Sequence, residues 1–382
     1  MDKQVYEIWL QQAIGYGNYQ IKTILEFYKS AKEFYDSGEY GWRLCGCFTG
    51  KQIDKIVSTS IESAYNIFRK CRNLNYKIIS IFDEKYPRLL KEISDPPAVI
   101  YVFGNETCLK KEISISFVGA REATPYGINL SKSMAFRVAS SGANVVSGGA
   151  LGIDSAAHEG AIEAGGSTIA VLGCGINTNY LVSNGFLRNK IAKSGVLISE
   201  YPPDYPAFAC NFPKRNRIIS GLSEATVVVE AGKKSGSLIT ANCANNQNRD
   251  VFVAPIDLRS PLSEGIISLI NDGVKVVIDM EDLVKSYESK LKNKFLKISS
   301  KKPSFNFSQE NQKPKATISP NVLKSVSENA KKVYHILDEG AMNADLICEK
   351  SGMKIENVLS SLTELEIYGL IKNNTGKEYE KI

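Results

Sequence analysis

Phe212-Pro213-Lys214-Arg215-Asn216-Arg217-Ile218-Ile219-Ser220-Gly221-Leu222-Ser223 leads, one residue later, into Ala225-Thr226-Val227-Val228-Val229-Glu230-Ala231. The second stretch is a nearly unbroken β-branched apolar run, the pattern of a strand buried on both faces. The first reads as a helix with an apolar body and a cationic start. Together they form a helix–strand unit of a parallel sheet, so the basic cluster stands on a rigid scaffold. Lys214, Arg215 and Arg217 repel one another unless an anion lies against them, and several phosphates satisfy that need best. The stretch therefore points to a nucleic-acid or nucleotide binder.

Working outward, strand and helix patterns alternate over residues 76–285. Strands are expected at Ile113–Val118, Ala143–Ser147, Thr168–Leu172, Val196–Ser199, Thr226–Glu230, Val251–Ala254 and Val274–Ile278. Repeated βα units imply an α/β fold, a Rossmann-like, doubly wound, mainly parallel sheet. Ligands of such sheets bind beyond the carboxyl ends of the strands, which selects three loops. Gly119 and Arg121 follow the first strand, Ser147 and Gly148 close the second, and Ser235-Gly236-Ser237 follows the fifth. Glycine admits close backbone approach, a helix start offers free N–H groups, and arginine supplies a fork for phosphate. A glycine at one such turn is commonplace. Three of them beside the Phe212–Arg217 cluster would make one anion-binding rim.

The flanks differ in pattern. Residues 1–75 alternate amphipathic helices with glycine turns at Gly15-Tyr16-Gly17 and Gly46 to Gly50. That is helix-hairpin-helix character, equally consistent with a helical cap without a ligand. Residues 286–327, rich in Lys, Ser, Asn and Pro, read as a flexible basic linker. Residues 328–382 read as three helices and a hairpin around Asn374-Thr375-Gly376, a winged-helix-like domain. The third helix carries few cations, which favours protein docking over duplex binding.

Composition excludes several classes. The net charge of +6 permits a polyanionic partner without requiring one. The eight cysteines are scattered, without a CxxC pair, so neither a zinc site nor a disulfide framework is expected. The charged start and the lack of any long apolar run lead to the expectation of a cytoplasmic protein without a membrane span. No GxGxxG follows the first strand, Gly46–Lys51 is one residue short of a P-loop, and no carboxylate cluster suits a nuclease metal. No cofactor and no catalytic machine are expected; His158 reads as a structural histidine.

The blocks Val118–Arg121, Ser147–His158, Phe212–Leu222 and Ser235–Ala241 resemble, in order, the signature blocks of the DprA/Smf family. The resemblance covers residues 76 to 279 and extends to both flanking domains. It implies a non-enzymatic, homodimeric protein that binds single-stranded DNA in natural transformation and loads the RecA recombinase. It further implies that Arg121, Lys214, Arg215, Asn216 and Arg217 serve phosphate, with Phe212 as candidate base-stacking platform or, nearly as well, a loop anchor. Ala120, Leu181 and Ile256 depart from the family pattern. The alternative is an enzyme of the related LOG phosphoribohydrolases, but Thr240 stands where their catalytic glutamate would be.

Overall fold

The computed structural model describes residues 1–111, 113–180, 184–255, 257, 259–277, 283, 287, 327–367, 370–374 and 378–381. They fall into two compact units, Met1–Pro303 and Ser304–Ile382. The basic linker expected over 286–327 lies, apart from Tyr287 and Ser327, outside the described residues, as do Leu181 and Ile256.

The first unit begins with six helices, Lys3–Ile14, Gln20–Phe27, Ala31–Asp36, Gly38–Leu44, Gly50–Ser58 and Ile61–Asn73. Local chemistry starts them. The Asp2 carboxylate accepts from the Gln4 N–H, and Thr49 and Gln52 form a reciprocal capping box. Gly15 and Gly17 turn the chain at positive φ. Trp9, Phe34 and Trp42 pack together beneath them, with Trp9 and Phe34 centroids 6.1 Å apart and Phe34 and Trp42 5.7 Å apart. Each such ring contributes about 1.5–3 kcal/mol by leaving water. These helices share one apolar core with the sheet that follows. The Gln11 side chain accepts from the Val99 N–H at 3.1 Å, and the Gln4 amide donates to the Ile78 carbonyl at 2.9 Å.

The sheet has nine strands: β1 (Lys77–Ser80), β2 (Val99–Gly104), β3 (Ser114–Val118), β4 (Asn144–Ser147), β5 (Thr168–Leu172), β6 (Val196–Ser199), β7 (Ala225–Val228), β8 (Asp250–Val253) and β9 (Lys275–Val276). Their order is β1-β2-β6-β5-β4-β3-β7-β8-β9. From β6 to β9 all pairs are parallel, whereas β2 runs against both β1 and β6. The sequence reading placed β3 to β9 to within a few residues and did not place β1 and β2. From β3 the chain winds outward through β4 and β5 to β6. It then returns by the helix Asn211–Gly221 to β7, on the other side of β3. The β3–β7 boundary is thus the topological switch point, where a crevice opens beyond the strand ends.

The second unit packs the helices Glu328–Ile336, Ala344–Ser351 and Ile355–Ile367 against a three-stranded antiparallel sheet. Its strands are β10 (Met342–Asn343), β11 (Ile371–Asn374) and β12 (Glu378–Lys381), in the order β10-β12-β11. Val333, Ile347, Val358, Leu362 and Leu365 form its core. This is a winged helix, with β10 added to the expected hairpin. Among the described residues no helix is long and apolar enough to cross a membrane.

Candidate nucleic-acid interface

A cavity of about 520 Å³ occupies the switch-point crevice. The loops after β3, β4 and β7 and one helix build most of it, with Tyr180 after β5 and Ala207 and Ala209 after β6 completing the wall. Gly119, Ala120 and Arg121 come from the turn after β3. Ala150 and Asp154 follow β4, and Ser235, Gly236 and Ser237 follow β7. Phe212, Arg215 and Asn216 descend from the first turns of the helix Asn211–Gly221. The four sequence stretches singled out above therefore meet at one place.

Arg121 is exposed at this cavity, its guanidinium 5.6 Å from the centroid of Phe212. The Phe212 ring is engaged on several sides. Arg215 lies 5.9 Å away and the Tyr180 ring 5.0 Å away. A side chain at Gly173 would come within 2.8 Å of it. Phe212 thus packs as a loop anchor does, against Arg121, Arg215 and Tyr180, while its half-buried ring also lines the cavity.

The cationic cluster divides. Lys214 is exposed but does not line the cavity. Arg215 is 4% exposed and donates to the carbonyls of Gly148, at 2.7 Å, and Val171. Arg217 is 6% exposed, with Nε 2.9 Å from Asp95 and Nη2 2.8 Å from Glu200. Burial disfavours its charge, but Glu200 and Asp95 outweigh that and hold its pKa above the ordinary arginine value. The expectation that Arg215 and Arg217 grip phosphate is corrected. Arg217 turns away from the cavity to Asp95 and Glu200, and Arg215, although it lines the cavity, gives its Nη1 to two carbonyls. Two lysines that the sequence reading passed over, Lys233 and Lys234, are exposed beside the Ser235 cap. The outward cations around the site are Arg121, Lys214, Lys233 and Lys234.

Ser147 and Gly148 also prove structural. Ser147 is fully buried and donates to the Phe117 carbonyl at 2.6 Å. Gly148 leaves room for Arg215, whose guanidinium would lie 2.7 Å from any Cβ there. Asp154 braces this floor by accepting from the Gly148 and Ala150 N–H groups at 3.1 and 3.3 Å. Burial raises the Asp154 pKa, and Arg215 opposes that rise. Gly119 lets the β3 turn pass Ile153, which a Cβ would meet at 2.5 Å.

On the opposite wall, Ser235 caps the helix Gly236–Asn246. Its Oγ accepts from the Ser237 N–H and lies 2.7 Å from the Ser237 hydroxyl. The start of this helix faces the cavity and favours an anion there. Asn216 ties the two helices by donating to the Gly236 carbonyl at 3.2 Å and accepting from Arg215 Nε.

His158 is fully buried, with Nδ1 2.7 Å from the Thr168 hydroxyl. That hydroxyl donates to the Val145 carbonyl, which assigns the ring proton to Nδ1. Burial, reinforced by Arg215, lowers the His158 pKa from 6.5 to about 3. Its imidazole NMR signals are expected to stay flat from about pH 8 to about 4. Because the unfolded chain takes up this proton near 6.5 and the folded one only near 3, stability falls as pH drops through that interval. A signal titrating near 6.5 would show the ring to be solvated.

Fold and cavity define a doubly wound α/β protein with a cation-flanked pocket at its switch point and a winged helix appended. Residues 77–288 match the family model described as DNA recombination-mediator protein A, and residues 317–377 match the DprA winged helix domain. The chain belongs to the DprA/Smf family. It is 30% identical to Protein Smf of Synechocystis sp. across 99% of each chain. The crystal structure of DNA processing protein A from Streptococcus pneumoniae matches with a TM-score of 0.65 and 32% identity. That match covers 75% of this chain and 98% of the other. DNA processing protein A from Helicobacter pylori matches with a TM-score of 0.51 and 28% identity, over 56% and 96% of the two chains. Its structure is described as giving insight into a single-stranded DNA binding mode.

Proposed function

We propose that this protein binds single-stranded DNA without acting on it chemically, protecting exposed strands in transformation or recombination and handing them to the RecA recombinase. The observation that carries the reading is the meeting of the β3, β4 and β7 loops with the start of Asn211–Gly221 around one cavity, with Arg121 exposed at its edge. The Helicobacter pylori relative, described by its single-stranded DNA binding mode, supports the choice of ligand. Loading of the recombinase and a homodimeric state follow from the family resemblance, and co-sedimentation with RecA and sedimentation equilibrium test them.

A binding role is favoured over hydrolysis. Thr240, at the position of the LOG glutamate, is buried and carries no acid. Asp154, which does line the cavity, is occupied by two backbone donors. Release of a free base from a nucleoside monophosphate would overturn this part.

A strand threading past Arg121, Lys214, Lys233 and Lys234 neutralises about four phosphates, so log affinity is expected to fall against log salt with a slope of roughly −3. Arg121→Ala should weaken binding about tenfold for every sequence alike, the loss of one charge-assisted contact. Its thermal midpoint should not move, because Arg121 is exposed. Titration of single- and double-stranded oligonucleotides at two salt concentrations checks this. A flat salt response or equal affinity for duplex refutes it.

A further inference from the structure

The segment 201–211 carries an aromatic row that the site described above does not use. Tyr201 is fully buried, and its ring stacks on that of Tyr205 at 4.9 Å and 22°. Tyr16, from the N-terminal helices, closes on both, at 4.7 Å from Tyr201 and 5.4 Å from Tyr205. Phe208 completes the row, edge to face with Tyr205 at 5.8 Å and 82°. Unlike the others it is open to solvent, 51% exposed.

Its position is fixed by backbone bonds as well as rings. The Tyr205 carbonyl accepts from the Gly175 N–H at 2.8 Å and from the Thr178 hydroxyl at 2.8 Å. The Phe208 carbonyl accepts from the Asn211 N–H at 3.0 Å. Its neighbours on both sides, Ala207 and Ala209, line the switch-point cavity. Phe208 itself is not among the lining residues, so its exposed ring stands next to the pocket in the chain, within the reach of a strand whose phosphates the pocket holds. The bases of such a strand present flat apolar faces once the phosphates are held.

We propose that Phe208, and not Phe212, is the stacking platform for a nucleobase of the bound strand. This rests on the single-strand reading above and adds to it the subsite that takes a base. Stacking on a π-face tolerates any base, so the contribution is expected to be independent of sequence but dependent on the base being present.

The test titrates the full-length protein and its Phe208→Ala and Phe208→Trp variants with a single-stranded oligonucleotide and with an abasic oligonucleotide of equal length and charge. Phe208→Ala is expected to lose on the order of 5- to 150-fold in affinity for the base-bearing strand. It should keep the abasic affinity and the salt slope of the parent. Phe208→Trp should restore binding, with its indole emission quenched by the base-bearing strand alone. If the parent prefers the base-bearing strand and Phe208→Ala shares that preference undiminished, the platform lies elsewhere and the present proposal is overturned while single-strand binding stands. If the parent binds neither oligonucleotide, the single-strand reading itself is overturned, and the Phe208 subsite with it.

Discussion

Replacing Arg217 by alanine is expected to lower the unfolding free energy by about 3–5 kcal/mol, the usual result of removing one partner from a buried ion pair. The thermal midpoint should fall by roughly 6–20 °C. The reason is what remains. Glu200 is fully buried, and Arg217 is the cation against it. Asp95, which Arg217 also grips, belongs to the segment between β1 and β2. One side chain therefore joins the helix Asn211–Gly221 to the end of β6 and to that earlier segment.

The loss should depend on pH with a definite sign. Burial raises the Glu200 pKa even in the intact protein, against the pull of Arg217. Without the arginine the rise grows, so the folded variant takes up a proton more readily than its unfolded chain does. The gap between variant and parent should then narrow as pH is lowered from about 8 to about 5. Urea denaturation at several pH values measures this. Had Arg217 faced the strand, the variant would keep its midpoint and lose only affinity.

Arg215→Met is expected to damage stability and binding together. Methionine fills much of the volume, but it leaves the Gly148 and Val171 carbonyls without a donor. Each unsatisfied buried acceptor costs about 1–3 kcal/mol, so a loss of about 3 kcal/mol is expected. Asp154 loses the cation that opposes its protonation, and the floor under the β4 loop loosens. Affinity for single strands should fall with it. The comparison with Arg121→Ala is the useful one, since that change removes affinity at unaltered stability. If Arg215→Met kept its midpoint and lost only affinity, Arg215 would be a strand contact after all.

Much of the fold was legible because its physics is local. β3 to β8 are short apolar runs between turn residues, and the strand-end loops betray themselves by glycine and helix caps. β1 and β2 were passed over although Val99-Ile100-Tyr101-Val102-Phe103 is as apolar as any other strand. Attention to alternating βα units discounts a pair that joins the sheet antiparallel, before the winding begins. The site was legible as a set of loops but not as a set of contacts. By pattern Lys233 and Lys234 are ordinary surface lysines beside a conspicuous serine cap.

By itself the chain determined that a doubly wound sheet would form, that a winged helix would follow, and that several turns would converge beyond the strand ends. Periodicity and turn chemistry are properties of neighbouring residues, and they survive without knowledge of the rest. Only the tertiary structure decided which of three adjacent cations faces water. That choice belongs to residues far off in sequence, Asp95 and Glu200 for Arg217, Gly148 and Val171 for Arg215. A helix carries its charges on every side, and the groups it packs against determine which of them remain available to a ligand.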